Sequence, residues 1–396
     1  MIKILRVISS MDPKGGGPCQ GIRNSIPALR KLGVENEVVC LDAFDSDYIG
    51  SDAFPIHAIG GSKGPWGYSE KLLPWLKTYL HTFDVVIVHG LWQYTSYAVY
   101  KIFKDVKPTK TKYFVMPHGM LDPYFQKAPD RRLKAMRNWL FWKLFESKVV
   151  NNTTGILFTC QEELMLARQT FKPYKPAKEL NVGYGIEAPP IYDNSMRSAF
   201  KLVSNGLNDR PYLLFLSRIH QKKGVDLLIT AYLIWMNKTK AHERLDLVIA
   251  GPGMETDYGQ ALLQTVANSD ALKEHVHFTG MLSGDSKWGA FYGCDAFILP
   301  SHQENFGIAI VEALACCKPV LISNKVNIWR EIHQAEAGFV SDDDLNGTLA
   351  LFENWKSLMD KEKLAMVKNA RNIFETLYAI EPAAIKLKDT LEKSIK

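Results

Sequence analysis

One local cycle starts twice along this chain: a short apolar run, a glycine-bearing turn, then a helical pattern. In the first occurrence residues 2–8 form a β-branched run, and Pro13-Lys14-Gly15-Gly16-Gly17-Pro18 breaks it. Ile22, Ile26, Leu29 and Leu32 then recur at helical spacing, and residues 37–41 are the next strand. Strand, turn, helix, strand is a βαβ unit, which implies a parallel sheet. Residues 85–88, 113–116 and 155–158 read as further buried strands. After Glu187 the pattern dissolves into Ala188-Pro189-Pro190 and a polar stretch, a linker by composition. The cycle then restarts with a strand at 212–216, a helix at 224–233 and a strand at 247–250 that ends in Gly251-Pro252-Gly253. Strands at 276–279 and 296–299, a helix at 308–315 and a strand at 319–322 follow. The tail, 361–396, reads as two helices broken near Pro382. The expectation is α/β with two doubly wound domains, 1–187 and 209–372, joined by a linker at 188–208. A C-terminal helix, 373–396, crosses back to the first domain. Ligands in such folds bind beyond the carboxyl ends of the strands, here in a cleft between the domains.

Composition agrees and narrows the class. The chain has 396 residues, 46% hydrophobic and 23% charged, enough apolar material for two cores and too much for a disordered or fibrous chain. The net charge of +6 is mild, and a nucleic-acid partner is not expected. Most of the excess sits in 124–150, where seven basic residues face Asp130 and Glu146 among six aromatics. Six cysteines without metal-ligand spacing read as reduced thiols in a cytoplasmic protein. The N-terminus reads as a first strand rather than a signal peptide, and no apolar run is long enough to span a membrane.

Two stretches carry chemistry. Leu299-Pro-Ser-His-Gln-Glu304-Asn-Phe-Gly307 ends a strand and starts a helix near Phe306, with Glu312 further along it. Amides of Phe306, Gly307 and Ile308 at that helix start form an anion site, and the two carboxylates can accept bonds from sugar hydroxyls. The alternative makes Glu304 a first-turn acid serving the helix dipole and Glu312 a partly buried surface group. Leu214-Phe-Leu-Ser-Arg218-Ile-His-Gln-Lys-Lys223-Gly224 repeats the arrangement with cations, a diphosphate clamp or a solvated basic loop.

Glu304 and Glu312, with seven residues between them in a Pro-Ser-x-x-Glu-x-Phe-Gly context, resemble the signature of retaining glycosyltransferases of family four, which have the GT-B fold. Ser217-Arg218-x4-Lys223-Gly224, Gly251-Pro-Gly253, Val276-His-Phe-Thr-Gly280 and Tyr292-Gly-Cys-Asp295 match that family's pattern in order. The Gly16-Gly17 loop and Pro117-His118-Gly119 resemble its acceptor-side elements. The resemblance implies two Rossmann-like domains facing a central cleft and the transfer of a hexosyl group, with UDP-glucose or a close relative as donor. It implies retention of configuration, no cofactor and no metal. Arg218 and Lys223 would stabilise the diphosphate, Glu312 hold the ribose, and Glu304 with the 306–308 amides hold the sugar and phosphate. Met281 would face the base and Gly16 and Gly17 approach the diphosphate. Gly251 and Gly253 fall in the nucleotide-binding set, and His118 would lie near the sugar's C6 hydroxyl or the reaction centre. Trp92 and Asp122 are assigned to the acceptor side. The 117–123 and 327–331 blocks resemble bacterial and cyanobacterial exopolysaccharide or envelope-polysaccharide enzymes, with a saccharide or lipid-linked acceptor.

Departures are local: Cys317 stands where the family has Gly before Lys318-Pro319, and the 324–332 loop lacks the common glycines. Asp45-Ser46-Asp47 reads as a solvated turn rather than a metal site, and Asp342-Asp343-Asp344 as a helix-capping run. In the basic segment Leu133, Met136, Leu140 and Leu144 share a helical face flanked by Trp139 and Trp142. That pattern suits either an anionic membrane surface, placing the protein at the inner face of a membrane, or packing on its own domain. A nucleotide-sugar epimerase or hydrolase on the same fold is the alternative, and an NAD-dependent oxidoreductase a more distant one.

Overall fold

Apolar runs without polar alternation are what strands buried on both faces require. Among the described residues thirteen strands pair in parallel into two sheets. The computed structural model describes residues 2–128, 131–204, 206–207 and 209–395; Asp130 of the basic segment and Asn205 and Asn208 of the linker lie outside them. The chain divides into two units, Met1–Glu187 with Ala379–Lys396, and Ala188–Tyr378.

In the first unit β1 (Ile2–Val7), β2 (Val34–Cys40), β3 (Ile56–Ala58), β4 (Val85–His89), β5 (Lys112–Met116), β6 (Gly155–Phe158) and β7 (Glu179–Asn181) are ordered β3-β2-β1-β4-β5-β6-β7. Alternate residues feed two cores. Leu5, Val86, Val115 and Phe158 enter one, while Ile4, Ile87, Phe114 and Leu157 enter the other. Ala28 and Leu29 of helix Gly17–Lys31 cover the second core together with Ala384, Leu387 and Leu391 of helix Ile380–Ile395.

In the second unit β8 (Tyr212–Leu216), β9 (Asp246–Ala250), β10 (Val276–Gly280), β11 (Ala296–Leu299), β12 (Val320–Ser323) and β13 (Gly338–Ser341) are ordered β10-β9-β8-β11-β12-β13. In both sheets the order reverses beside the unit's first strand: β1 lies against β4 and β8 against β11. Such a switch point opens a crevice at the carboxyl ends of the two strands.

Three local readings need correction and one is located more closely. The 188–208 stretch carries a helix, Asn194–Val203, because Met196 and Phe200 are buried at helical spacing. The break expected near Pro382 falls at Ala379, after a π-helical turn at Phe374–Tyr378. Pro382 sits in the first turn of the last helix, where its missing N–H costs nothing. The segment 124–150 is not one regular helix: a π-helical turn, Trp142–Glu146, interrupts it. The extra residue in that turn rotates Trp142 and Glu146 wholly inside, so Trp142 is core and flanks no exposed face.

Candidate active site

The loops leaving β8 and β11 are stitched together. The His302 amide donates to the Lys222 carbonyl (2.9 Å), and the Ser301 hydroxyl donates to the same carbonyl (3.0 Å). Gly224 has φ +67°, and a Cβ there would overlap the Pro300 carbonyl, so the close approach of the two loops needs glycine. Lys223 ends a 3-10 turn, Gln221–Lys223, and its ammonium pairs with the Glu304 carboxylate. The Lys223 side chain is 6% exposed and that of Glu304 21%.

Glu304 is held from the other side by the 324–332 loop. Its amide donates to the Lys325 carbonyl (3.0 Å) and its carbonyl accepts from the Asn327 amide (2.9 Å). The loop that departs from the family pattern thus supports this carboxylate through backbone alone. Helix Ile308–Ala315 spans the residues that the sequence pattern marks as helical. Gly307 caps it at φ +74°, and the Phe306 ring is buried against Tyr378, 5.6 Å between centroids. The Ile310 and Val311 amides both return to the Gly307 carbonyl (2.9 and 3.2 Å), which leaves the Ile308 and Ala309 amides of the first turn without a helical partner among the described residues. Glu312, one turn into this helix, pairs through Oε1 with Lys287 Nζ at 2.9 Å.

Arg218 is exposed just beyond β8, and its guanidinium makes no ion pair or hydrogen bond among the described residues. Gly251 and Gly253 follow β9, and the Gly251 amide donates to the Gly280 carbonyl at 2.8 Å. Met281 is exposed at the end of β10. Arg218, Lys223, Gly251, Gly253, Met281, Glu304, Gly307, Ile308 and Glu312 therefore all lie at the carboxyl ends of one parallel sheet. Asp344 caps helix Leu345–Ser357 through the Gly347 amide (2.7 Å), and Asp343 pairs with His302 (2.9 Å). No group of three or more His, Cys, Asp or Glu among the described residues is placed to hold a metal ion.

The first unit has its own constellation at the β1–β4 switch point. Gly16 caps helix Gly17–Lys31 after β1. His118, at φ +51°, follows β5. Its Nε2 lies 2.9 Å from His89 Nδ1 at the end of β4, and His89 Nε2 lies 3.4 Å from Arg6 Nη1. Burial, and then the Arg6 charge, pushes the His118 imidazole down to about 4, so it is neutral at pH 7. Glu163 orders the loop by accepting from the Gly119 amide at 2.6 Å and the Thr159 amide at 2.8 Å. Trp92, at φ +68°, donates its amide to Glu146 (3.0 Å) and packs on Phe171. Asp122 is buried, and its Oδ1 accepts from the Tyr124 amide (2.8 Å), a turn-fixing role. Arg6, His89, Glu163 and Lys287 went unnoticed in the sequence because no local motif marks them.

Residues 16–184 match the model of the glycosyl transferase 4-like domain, and residues 199–372 that of glycosyl transferases group 1. The GDP-mannose-dependent alpha-(1-6)-phosphatidylinositol monomannoside mannosyltransferase of Mycolicibacterium smegmatis is 31% identical over 244 residues, 57% of this chain and 61% of the relative. The O-antigen chain mannosyltransferase C of Escherichia coli is 27% identical over 224 residues, 54% of each chain. The chain thus spans little more than half the length of these curated relatives. Among solved structures, Anabaena HepE in complex with UDP and glucose superposes with a TM-score of 0.73 at 17% identity, covering 99% of this chain and all of that one. Sucrose-phosphate synthase from Thermosynechococcus elongatus gives 0.73 at 16% identity, covering 99% and 98%. Both sheets have the parallel, Rossmann-like α/β order of GT-B glycosyltransferases, and the chain carries a glycosyl transferase 4-like domain followed by a glycosyl transferases group 1 domain.

Proposed function

We propose that this protein is a retaining, metal-independent glycosyltransferase of family four that moves a hexosyl group from a nucleoside-diphosphate sugar to a saccharide hydroxyl. The observation that carries the reading is the junction of the β8 and β11 loops. It joins a buried ammonium, an exposed guanidinium without a partner among the described residues, two carboxylates and a helix start at a switch point. A departing diphosphate needs donors already aimed at its growing charge. Lys223 and Arg218 supply two, and the Ile308 and Ala309 amides at the helix start supply the rest. Lys223 exchanges Glu304 for phosphate, which frees the Glu304 carboxylate to accept from sugar hydroxyls. Glu312 takes the ribose hydroxyls. Leaving-group stabilisation then drives a front-face single displacement without a covalent nucleophile.

Our donor reading is UDP-glucose, on the resemblance to exopolysaccharide and envelope-polysaccharide enzymes. GDP-mannose is the competing donor, because a curated relative over more than half the chain depends on it. Product analysis with each donor, with and without acceptor, distinguishes them and separates transfer from hydrolysis or epimerisation. A chain that releases free sugar at the same rate with and without acceptor is not a transferase.

The acceptor we propose is a saccharide, lipid-linked and met at an anionic membrane surface. Leu133, Met136, Trp139, Leu140 and Leu144 are 49–80% exposed on the segment that also carries Arg131, Lys134 and Lys143. An exposed apolar stripe beside cations suits an interfacial helix. No helix among the described residues is long and apolar enough to cross a membrane.

A further inference from the structure

Three side chains from three adjacent strand ends form a line that a single permanent cation polarises. Arg6 lies on β1, and its residue is 2% exposed. Its Nε donates to Asn36 Oδ1 at 3.0 Å and its Nη1 reaches His89 Nε2 at 3.4 Å. No carboxylate contacts it among the described residues. A guanidinium has only N–H donors and keeps them at any ordinary pH. His89 Nε2 must therefore accept, which places the His89 proton on Nδ1. That nitrogen lies 2.9 Å from His118 Nε2, so Nε2 of His118 must accept in turn. The proton of neutral His118 is then left on Nδ1. Nδ1 of His118 has no other partner among the described residues. The ring planes are 22° apart and the centroids 5.2 Å apart, so the two nitrogens meet edge to edge and nearly in plane, as a ring-to-ring hydrogen bond requires.

We propose that Arg6 and His89 are positioning residues that hold His118 as its Nδ1–H tautomer, so that His118 offers a saccharide substrate a hydrogen-bond donor and never an acceptor. The functional half of this rests on the reading of His118 as a sugar-contacting residue; the tautomer half does not. A donor at this nitrogen recognises a ring, glycosidic or hydroxyl oxygen through its lone pair. The second ring nitrogen sets the tautomer of the first, as in other histidine sites. The positive φ of His118 and the grip of Glu163 on the Gly119 amide fix the ring's base, while the Arg6–His89 line fixes its proton.

The test uses the full chain with ring-¹⁵N-labelled histidine at neutral pH. Protonated and bare ring nitrogens resonate far apart, and loss of a signal set in His118→Gln assigns the ring. The expected wild-type pattern is a protonated Nδ1 and a bare Nε2. His89→Gln keeps the direction of donation, since its carbonyl accepts from Arg6 and its amide donates to His118. It should retain both the pattern and most of the transfer. His89→Met and Arg6→Met should lose the pattern, with kcat lower by about tenfold, the loss of one oriented hydrogen bond, at little change in donor KM. A protonated Nε2 in the wild type overturns the proposal, and so does an unchanged pattern in His89→Met. If the pattern behaves as expected while turnover of His89→Met is normal, the tautomer relay stands and the sugar-contact reading of His118 falls.

Discussion

Replacing Lys223 with alanine has two effects that the geometry lets one separate. The first is on stability. Lys223 and Glu304 form a pair whose side chains are 6% and 21% exposed. Removing one partner of a fully buried pair costs about 3–5 kcal/mol, because the other charge is left uncompensated. Water reaches part of Glu304, so about 2–3 kcal/mol is expected, a fall in melting temperature of roughly 5–10 °C for a unit of this size. The second effect is on transfer. An ammonium aimed at the departing diphosphate contributes about 3–4 kcal/mol, hence a loss of roughly 10² to 10³ in kcat. The first is read by differential scanning fluorimetry, and the second by steady-state sugar transfer at a temperature below the melting range of the variant. The decisive comparison is made in a Glu304→Gln background, where the unpaired carboxylate is gone. There Lys223→Met should restore most of the lost stability and still lower transfer by at least about tenfold. If transfer does not fall further, Lys223 serves only to neutralise Glu304, and its role at the diphosphate is refuted.

Glu312→Ala should raise the donor KM strongly while Lys287→Ala raises it less, since Lys287 acts only by holding Glu312; equal KM values for both variants and the wild type would remove Glu312 from the ribose. Glu146 is wholly buried, and burial pushes its carboxyl up to about 7 against an ordinary 4.5. The folded state therefore binds the extra proton between these values, and its stability falls as pH rises from about 4.5 to 7, by up to about 3 kcal/mol. Glu146→Gln should flatten that part of the melting-temperature profile, and a variant whose profile parallels the wild type would contradict the burial argument. Transfer should survive EDTA, and strict dependence on Mn²⁺ would bring the Asp45–Asp47 pair back into consideration. Sedimentation with anionic vesicles should occur at low salt and be lost in Trp139→Ser/Leu140→Ser; no sedimentation at any salt rejects the membrane surface.

The strands that the sequence made legible are those whose residues are apolar on both faces, such as 85–88 and 296–299. β3, β7 and β13 escaped notice. Each is a short edge strand of mixed character, as Glu179-Leu180-Asn181 illustrates, and only pairing to a neighbour makes it a strand. Helix Asn194–Val203 hid for a similar reason: its two anchors, Met196 and Phe200, lie between polar residues that resemble a linker. Glu304, Gly307 and Glu312 could be singled out because chain spacing alone puts them on one loop and helix. The Arg6–His89 contact spans 83 positions and Lys287–Glu312 spans 25. Such pairs arise from sheet order and helix packing, which a linear reading does not contain. The π-helical turn at Trp142–Glu146 is of the same kind, because a buried tryptophan and a buried carboxylate, rather than local propensity, hold its register.

The reading of the β8–β11 junction as a donor site stands or falls on nucleotide binding. The direct measurement is a calorimetric titration of the full chain with UDP, GDP and ADP, repeated on Glu312→Ala. The expected result is saturable binding of one nucleoside diphosphate, with UDP preferred, abolished or weakened at least about tenfold in the variant. Absence of binding by all three, or equal binding by the variant, would contradict it.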